Sequence, residues 1–139
     1  MSVLRADPQR WPAVVEELLR HLSVVHSGVR RVATEDVEVA GTRIRAGDGV
    51  VVARQAANRD PDAFADPDRF EIDRNARQHL AFGHGVHQCV GQALARLELQ
   101  IGLPALFDRL PSLRLADSPD EHALRQSAVH GLGSLPVAW

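Results

Sequence analysis

The stretch Phe82-Gly83-His84-Gly85-Val86-His87-Gln88-Cys89-Val90-Gly91 constrains this chain more than any other, because glycine holds three of its ten positions and the stretch runs straight into a helical pattern. Glycines at that spacing permit a turn built from backbone conformations closed to other residues, and they let other groups approach the main chain. After the turn, Val90, Ala93, Leu94, Leu97, Ile101 and Ala105 recur at helical spacing while Gln92, Arg96 and Gln100 face elsewhere. That pattern predicts an amphipathic helix from Cys89 to about Leu106. Cys89 is the only cysteine, and it sits where the unpaired N–H groups of a helix start favour a negative sulfur. It forms no internal disulfide, and the residues alone leave two readings open: an inert buried thiol, or a thiolate that ligates a metal.

Composition narrows the surroundings of that turn. With 139 residues, 45% of them hydrophobic, the chain is long enough for one globular domain and resembles neither a disordered nor a disulfide-dense sequence. No run approaches the roughly 18 apolar residues of a membrane span, and the first residues lack a basic-then-apolar signal pattern, so a soluble, cytoplasmic protein is expected. A net charge of −2 leaves no nucleic-acid footprint. All 16 basic residues are arginine, which suggests a GC-rich bacterial genome and equips the chain for bidentate contact with carboxylates.

Ahead of the turn the periodicity changes twice. Asp7-Pro8 reads as a cap, and Trp11, Val14, Val15, Leu18, Leu19 and Leu22 predict a helix over 11–22 that puts Glu17 and Arg20 on one face. From Val37 the pattern alternates, breaks at Ala40-Gly41 and at Ala46-Gly47-Asp48, and resumes in Val50-Val51-Val52-Ala53, which predicts a hairpin and a further strand. Residues 58–78, rich in Asp, Pro, Arg and Asn, read as an irregular meander with at most one short helix, anchored by Phe64, Phe70 and Ile72. Two strand-like pieces, Ser112 to Leu115 and Leu135 to Trp139, close the chain.

The ten-residue turn fits FGxGxHxCxG and continues into Ala93-Leu94-Ala95-Arg96, and in this it resembles the cysteine-ligand loop and following helix of the cytochrome P-450 family. Three further segments resemble family signatures in the family's order. Glu17-Leu18-Leu19-Arg20 is similar to the ExxR helix, Arg31 to Asp36 to the bacterial segment after it, and Asp66-Pro67-Asp68-Arg69-Phe70 to the PxRF meander. The resemblance implies an α+β, mainly α fold corresponding to the C-terminal part of the cytochrome P-450 fold, with residues 1–139 as a single haem-binding segment. It also implies that the family's N-terminal and central helices, which carry the oxygen-activation pair and most of the substrate pocket, are absent.

The same resemblance implies roles. Cys89 would be the thiolate ligand of a haem b iron, and Phe82, Gly83, Gly85, His87, Gly91 and Arg31 would contact the cofactor, with Arg30 a rival to Arg31 for a propionate. Glu17, Arg20 and Arg69 would form a buried network locking the ExxR helix to the meander. Arg74, Arg77 and Arg96 would face an acidic ferredoxin or flavodoxin-like electron donor, although a solvated surface explains such arginines equally well. Ser23 to Gly28 and Ala128 to Leu132 resemble loops that reach a substrate pocket. The implied activity is insertion of one oxygen of O2 into a small organic substrate, and the alternative is a non-catalytic remnant that binds haem weakly or not at all. A cysteine-nucleophile hydrolase pairing Cys89 with His87 explains the glycine pattern less well.

Overall fold

A computed structural model describes residues 2–25, 30–118, 124–125, 127 and 129–139. A short helix α1 (Ser2–Ala6) and a 3-10 turn (Pro8–Arg10) lead into α2 (Trp11–Leu22). Asp7 starts the turn by accepting the Gln9 N–H at 3.2 Å, and Pro12 lies in the first turn of α2, where a missing N–H costs nothing. The helix ends at Ser23, left-handed at φ 42°, whose N–H returns to the Leu19 carbonyl at 3.1 Å. Trp11 and Val14 join Leu4 in a small apolar core, with Leu18, Ile72, Leu103 and Phe107 packed against it and the Trp11 and Phe107 rings stacked at 6.3 Å.

Three two-stranded antiparallel ribbons follow. β1 (Arg30–Val32) pairs with β4 (Gly49–Val51) in the register Arg31 opposite Val50, and between them β2 (Val37–Val39) and β3 (Thr42–Ile44) form a hairpin with Glu38 opposite Arg43. The hairpin turns on Ala40 and Gly41, both at positive φ, as a two-residue loop must to match the twist of its strands. Asp36 holds its base by accepting the Ala46 N–H at 2.9 Å and an arm of Arg43. A single helical turn, α3 (Arg54–Ala57), opens the meander, just ahead of the segment in which a short helix was expected. β5 (Arg114–Leu115) and β6 (Val137–Ala138) pair near the end of the chain, and both fall inside the two expected strand-like pieces. β1 was not recognised from sequence, because Arg30-Arg31-Val32 carries no alternation of its own and becomes a strand only by pairing with the valines of β4.

α4 (Gln92–Arg109) is the long helix foreseen after the turn, beginning three residues later than the pattern suggested because Cys89 to Gly91 still belong to the loop. Leu94, Leu97 and Ile101, on the apolar stripe that the spacing outlines, are 60%, 54% and 60% exposed. α4 meets α2 through the other face, where Arg96 pairs with Glu16 and Leu103 and Phe107 reach the apolar core. A carboxylate as buried as Glu16 needs a cation, and Arg96 supplies it from the face of α4 that also carries Leu103 and Phe107. The overall outcome is the mixed α+β architecture that the sequence implied, mainly helical with small antiparallel ribbons.

Ala40 has φ 47° in the hairpin turn, where asparagine tolerates the left-handed region better than alanine. Ala40→Asn is therefore expected to stabilise the chain by roughly 0.5–1 kcal/mol in urea unfolding.

Candidate functional site

The site is assembled from α2 outward. Glu17 and Arg20 are fully buried, one helical turn apart, with Arg20 Nε 2.7 Å from Glu17 Oε2 and Nη2 2.8 Å from Oε1. The guanidinium then reaches into the meander, donating from Nη1 to the carbonyls of Asn58 and Pro67, both at 2.8 Å, and from Nη2 to the Arg69 carbonyl at 3.3 Å. Its other partner is the face of Phe64, 5.2 Å from the ring centroid. Glu17 Oε1 also accepts the Glu71 N–H at 3.0 Å and Arg74 Nε at 3.2 Å. A loop with no ladder of its own thus has its carbonyls and N–H groups bound to two side chains of one helix.

The network corrects one expectation. Arg69 takes part through its carbonyl, while its side chain is exposed; the second guanidinium on Glu17 belongs to Arg74. Arg74 also donates to the carbonyls of Ala65, Asp66 and Arg69, so its side chain stands only 8% exposed. Its expected place on a partner-facing surface is corrected in the same way, since a guanidinium that closes the meander presents little charge outward. Arg96 is likewise engaged, with Nε 2.6 Å from Glu16 Oε1 and Nη2 3.1 Å from Oε2. Of the three arginines expected to face a donor, Arg77 is the exposed one.

The meander leads to the cysteine loop through His79 and Asn58. Asn58, fully buried, donates to Ser23 Oγ at 2.8 Å and accepts the Leu80 N–H at 2.7 Å. His79 Nδ1 accepts the Ala81 N–H at 3.1 Å, so Nε2 carries the proton and donates to Glu16 Oε2 at 3.1 Å. Burial lowers the His79 pKa below the usual imidazole value and the Arg96 charge adds to this, against the opposing pull of Glu16. His21 is lowered as well, by burial and then by the charges of Arg59 and Arg20. Burial acts to raise Glu17, but the Arg20 hydrogen bond, the Glu71 N–H and the Arg20 charge outweigh it and hold the carboxyl below its ordinary range.

Within the loop Gly83 and Gly85 adopt φ 75° and 78°, and a 3-10 turn (Gly85–His87) brings the chain round so that the Cys89 N–H donates to the Phe82 carbonyl at 2.9 Å. The Cys89 sulfur is exposed, and a Cβ added at Gly91 would lie 3.9 Å from it. Val86 and Val90, before and after Cys89 in the chain, are fully exposed. His84 and His87 are exposed in the turn; Arg31 is exposed on β1 and donates to the Arg30 carbonyl at 3.1 Å. Residues 26–28 and 128 of the expected pocket loops lie outside the described residues, but Val25 and Val129 form a bridge and the His130 N–H donates to the Val24 carbonyl at 2.6 Å, which joins the two segments.

The donor set fits a haem. Among the described residues no three His, Cys, Asp or Glu side chains gather to hold a metal ion. A porphyrin brings four nitrogens of its own and needs from the protein a single axial donor with apolar neighbours, and Cys89 with Val86 and Val90 fits that need. Also among the described residues, no helix is long and apolar enough to cross a membrane.

Sequence reasoning missed Glu16 and His79, and gave Arg74 a partner-facing role in place of its bond to Glu17. Glu16 was hidden beside the motif glutamate, and the signal that could have revealed it is a second carboxylate on the buried face of α2. Arg74 follows Arg69 too closely for spacing to separate them.

Comparison with known proteins agrees with these observations. The family model described as Cytochrome P450 matches residues 11–128. Pentalenic acid synthase of Streptomyces avermitilis is 54% identical over 140 residues, covering 100% of this chain and 35% of that protein. A Streptomyces fradiae enzyme named 20-oxo-5-O-mycaminosyltylactone 23-monooxygenase is 51% identical, covering 98% of this chain and 32% of its own length. The solved structure of CYP105P2 from Streptomyces peucetius, in complex with a biphenyl compound, superposes with a TM-score of 0.95 at 47% identity, covering 99% of this chain and 35% of the other. The chain spans about a third of the length of the curated relatives it matches.

Removing one partner of the Glu17–Arg20 pair strands a charge at a fully buried position. Arg20→Met is expected to cost about 3–5 kcal/mol in denaturant unfolding. Stability is also expected to fall in two acid steps. Below about pH 6.5 the unfolded chain binds protons that folded His79 and His21 refuse, and below about pH 4.3 it binds one that folded Glu17 refuses. Urea midpoints across pH 3–8 check the sign, and His79→Gln should shrink only the upper step.

Proposed function

The chain belongs to the cytochrome P450 family, and from that premise we propose that residues 1–139 are the C-terminal haem-binding segment of a haem-thiolate monooxygenase, with Cys89 as the protein's single ligand to iron. The observation that carries this reading is an exposed sulfur at the head of α4, on a loop turned by two positive-φ glycines and flanked by exposed apolar side chains. A haem b bound there would supply the oxygen chemistry, with electrons from a partner, that places one oxygen atom of O2 in an organic substrate.

The chain's own residues hold and shape that site. Cys89 provides the thiolate, and the conformations of Gly83 and Gly85 bring the backbone round behind it. Gly91 lies beside the sulfur, and the Phe82 ring packs under the Arg96 guanidinium. Arg31 and His87, both exposed, are the donors for propionate carboxylates, and Arg31 suits a bidentate contact. Arg77 is the arginine placed to steer an acidic ferredoxin or flavodoxin-like donor, since Arg74 and Arg96 are tied to Glu17 and Glu16. The substrate is proposed only as a small organic molecule; the named relatives act on different compounds.

A second reading concerns the 139-residue chain by itself. The exposure of Cys89, Val90, Leu94, Leu97 and Ile101 favours weak haem retention, because one wall holds a flat ligand poorly. Haem titration separates the two: tight stoichiometric binding with NAD(P)H-driven turnover refutes the weak-binding reading. For the monooxygenase reading the ferrous-carbonyl spectrum of the haem-loaded protein is decisive. The red-shifted Soret band of thiolate-ligated haem is expected, and Cys89→Ser should abolish it while leaving the far-UV circular dichroism unchanged.

A further inference from the structure

The Glu16–Arg96 pair ends against the cysteine loop, and neither residue belongs to the loop or to the Glu17 network. Glu16 is buried on α2 beside Glu17, and its carboxylate receives both Nε and Nη2 of Arg96 in the fork geometry that only arginine makes. Gln92 holds the remaining nitrogen, Nη1, at 2.9 Å through its Oε1. So fixed, the Arg96 guanidinium carbon lies 4.8 Å from the centroid of the Phe82 ring, and the His79 ring stands 6.1 Å from the same centroid, anchored to the same carboxylate. Phe82 is thus braced by two groups held on Glu16, and its carbonyl is the acceptor for the Cys89 N–H at 2.9 Å.

We propose that Arg96, oriented by Glu16, is a positioning residue for Cys89, acting through the ring of Phe82. A guanidinium over an aromatic face is a modest attraction at an exposed site and a stronger one when desolvated. Here it fixes a residue whose main chain bonds directly to that of the cysteine. The chain runs Glu16 to Arg96 to Phe82 to Cys89, so this charged pair adds a link from α2 to the sulfur beside the bonds that Asn58 and Arg54 make to Leu80 and Ala81 at the base of the loop. The inference adds a role for Arg96 to the proposed thiolate site and rests on that reading for its functional meaning, but its geometric content stands apart from haem.

The test is therefore made without haem. Amide hydrogen exchange of the 139-residue chain is followed by NMR at Cys89, with Val15 in the α2 core as the internal reference for global opening. Arg96→Met is expected to speed exchange at Cys89 about ten-fold while Val15 keeps its protection. Unchanged Cys89 exchange overturns the proposal. If both amides accelerate together, Arg96→Lys decides, since it keeps the charge opposite Glu16 and loses the planar stack on Phe82. Faster exchange at Cys89 alone in that variant supports the role, and wild-type exchange there overturns it. Haem titration of the unmutated chain tests the monooxygenase reading separately, so failure of one is not mistaken for failure of the other.

Discussion

The buried pair of Glu17 and Arg20 is the interaction on which the remaining structure depends. Two full charges out of water are costly, and they are tolerable here because almost every polar atom they carry is used. The carbonyls that Arg20 binds come from Asn58, Pro67 and Arg69, in a stretch with neither helix nor sheet to occupy them. A loop of this kind usually lies loosely on the surface. This one is gathered onto a helix because a guanidinium can serve three carbonyls at once, one at Asn58 and two in the turn Asp66–Arg69. Lysine, a point charge on a flexible stem, would not present the same fixed fork, and this chain contains none.

The second glutamate divides the labour of α2. Glu17 faces the meander and Glu16 faces α4 and the cysteine loop, so adjacent residues on one helix organise two different parts of the molecule. This is possible because neighbouring helical positions diverge by about 100° around the axis. Arg74 and Arg96 answer the two carboxylates in turn, and each also satisfies main-chain or amide groups nearby. Polar pairing therefore supplements hydrophobic burial, for which Leu4, Trp11, Val14, Val15, Phe64 and Ala76 are the buried apolar side chains among the described residues.

How much of this was legible in the sequence follows from how local each signal is. The α2 helix, the β2–β3 hairpin and the glycine turn before Cys89 are encoded within a few residues, by spacing, by Ala40-Gly41 and by the glycines, and they were read with nearly correct bounds. Side-chain pairing across the chain is not local. Nothing within the meander distinguishes Arg69 from Arg74, and only the folded path turns one side chain outward and the other onto Glu17. The pairing of Arg96 with Glu16, eighty positions earlier, is equally non-local: the leucine spacing outlines the apolar stripe of α4 but says nothing of the partner of the charge on its other face.

The facing of α4 has a physical consequence for the cysteine loop. Had α4 packed through Leu94, Leu97 and Ile101, Arg96 would have pointed to solvent, and Phe82 would have lost the cation over its ring. With Arg96 inward, the same rotation leaves the apolar stripe open on the helix that begins beside Cys89. The two features are one choice of helix orientation. One face of α4 carries the cation over the Phe82 ring, and the other leaves Leu94, Leu97 and Ile101 exposed on the helix that follows the exposed Cys89 and Val90.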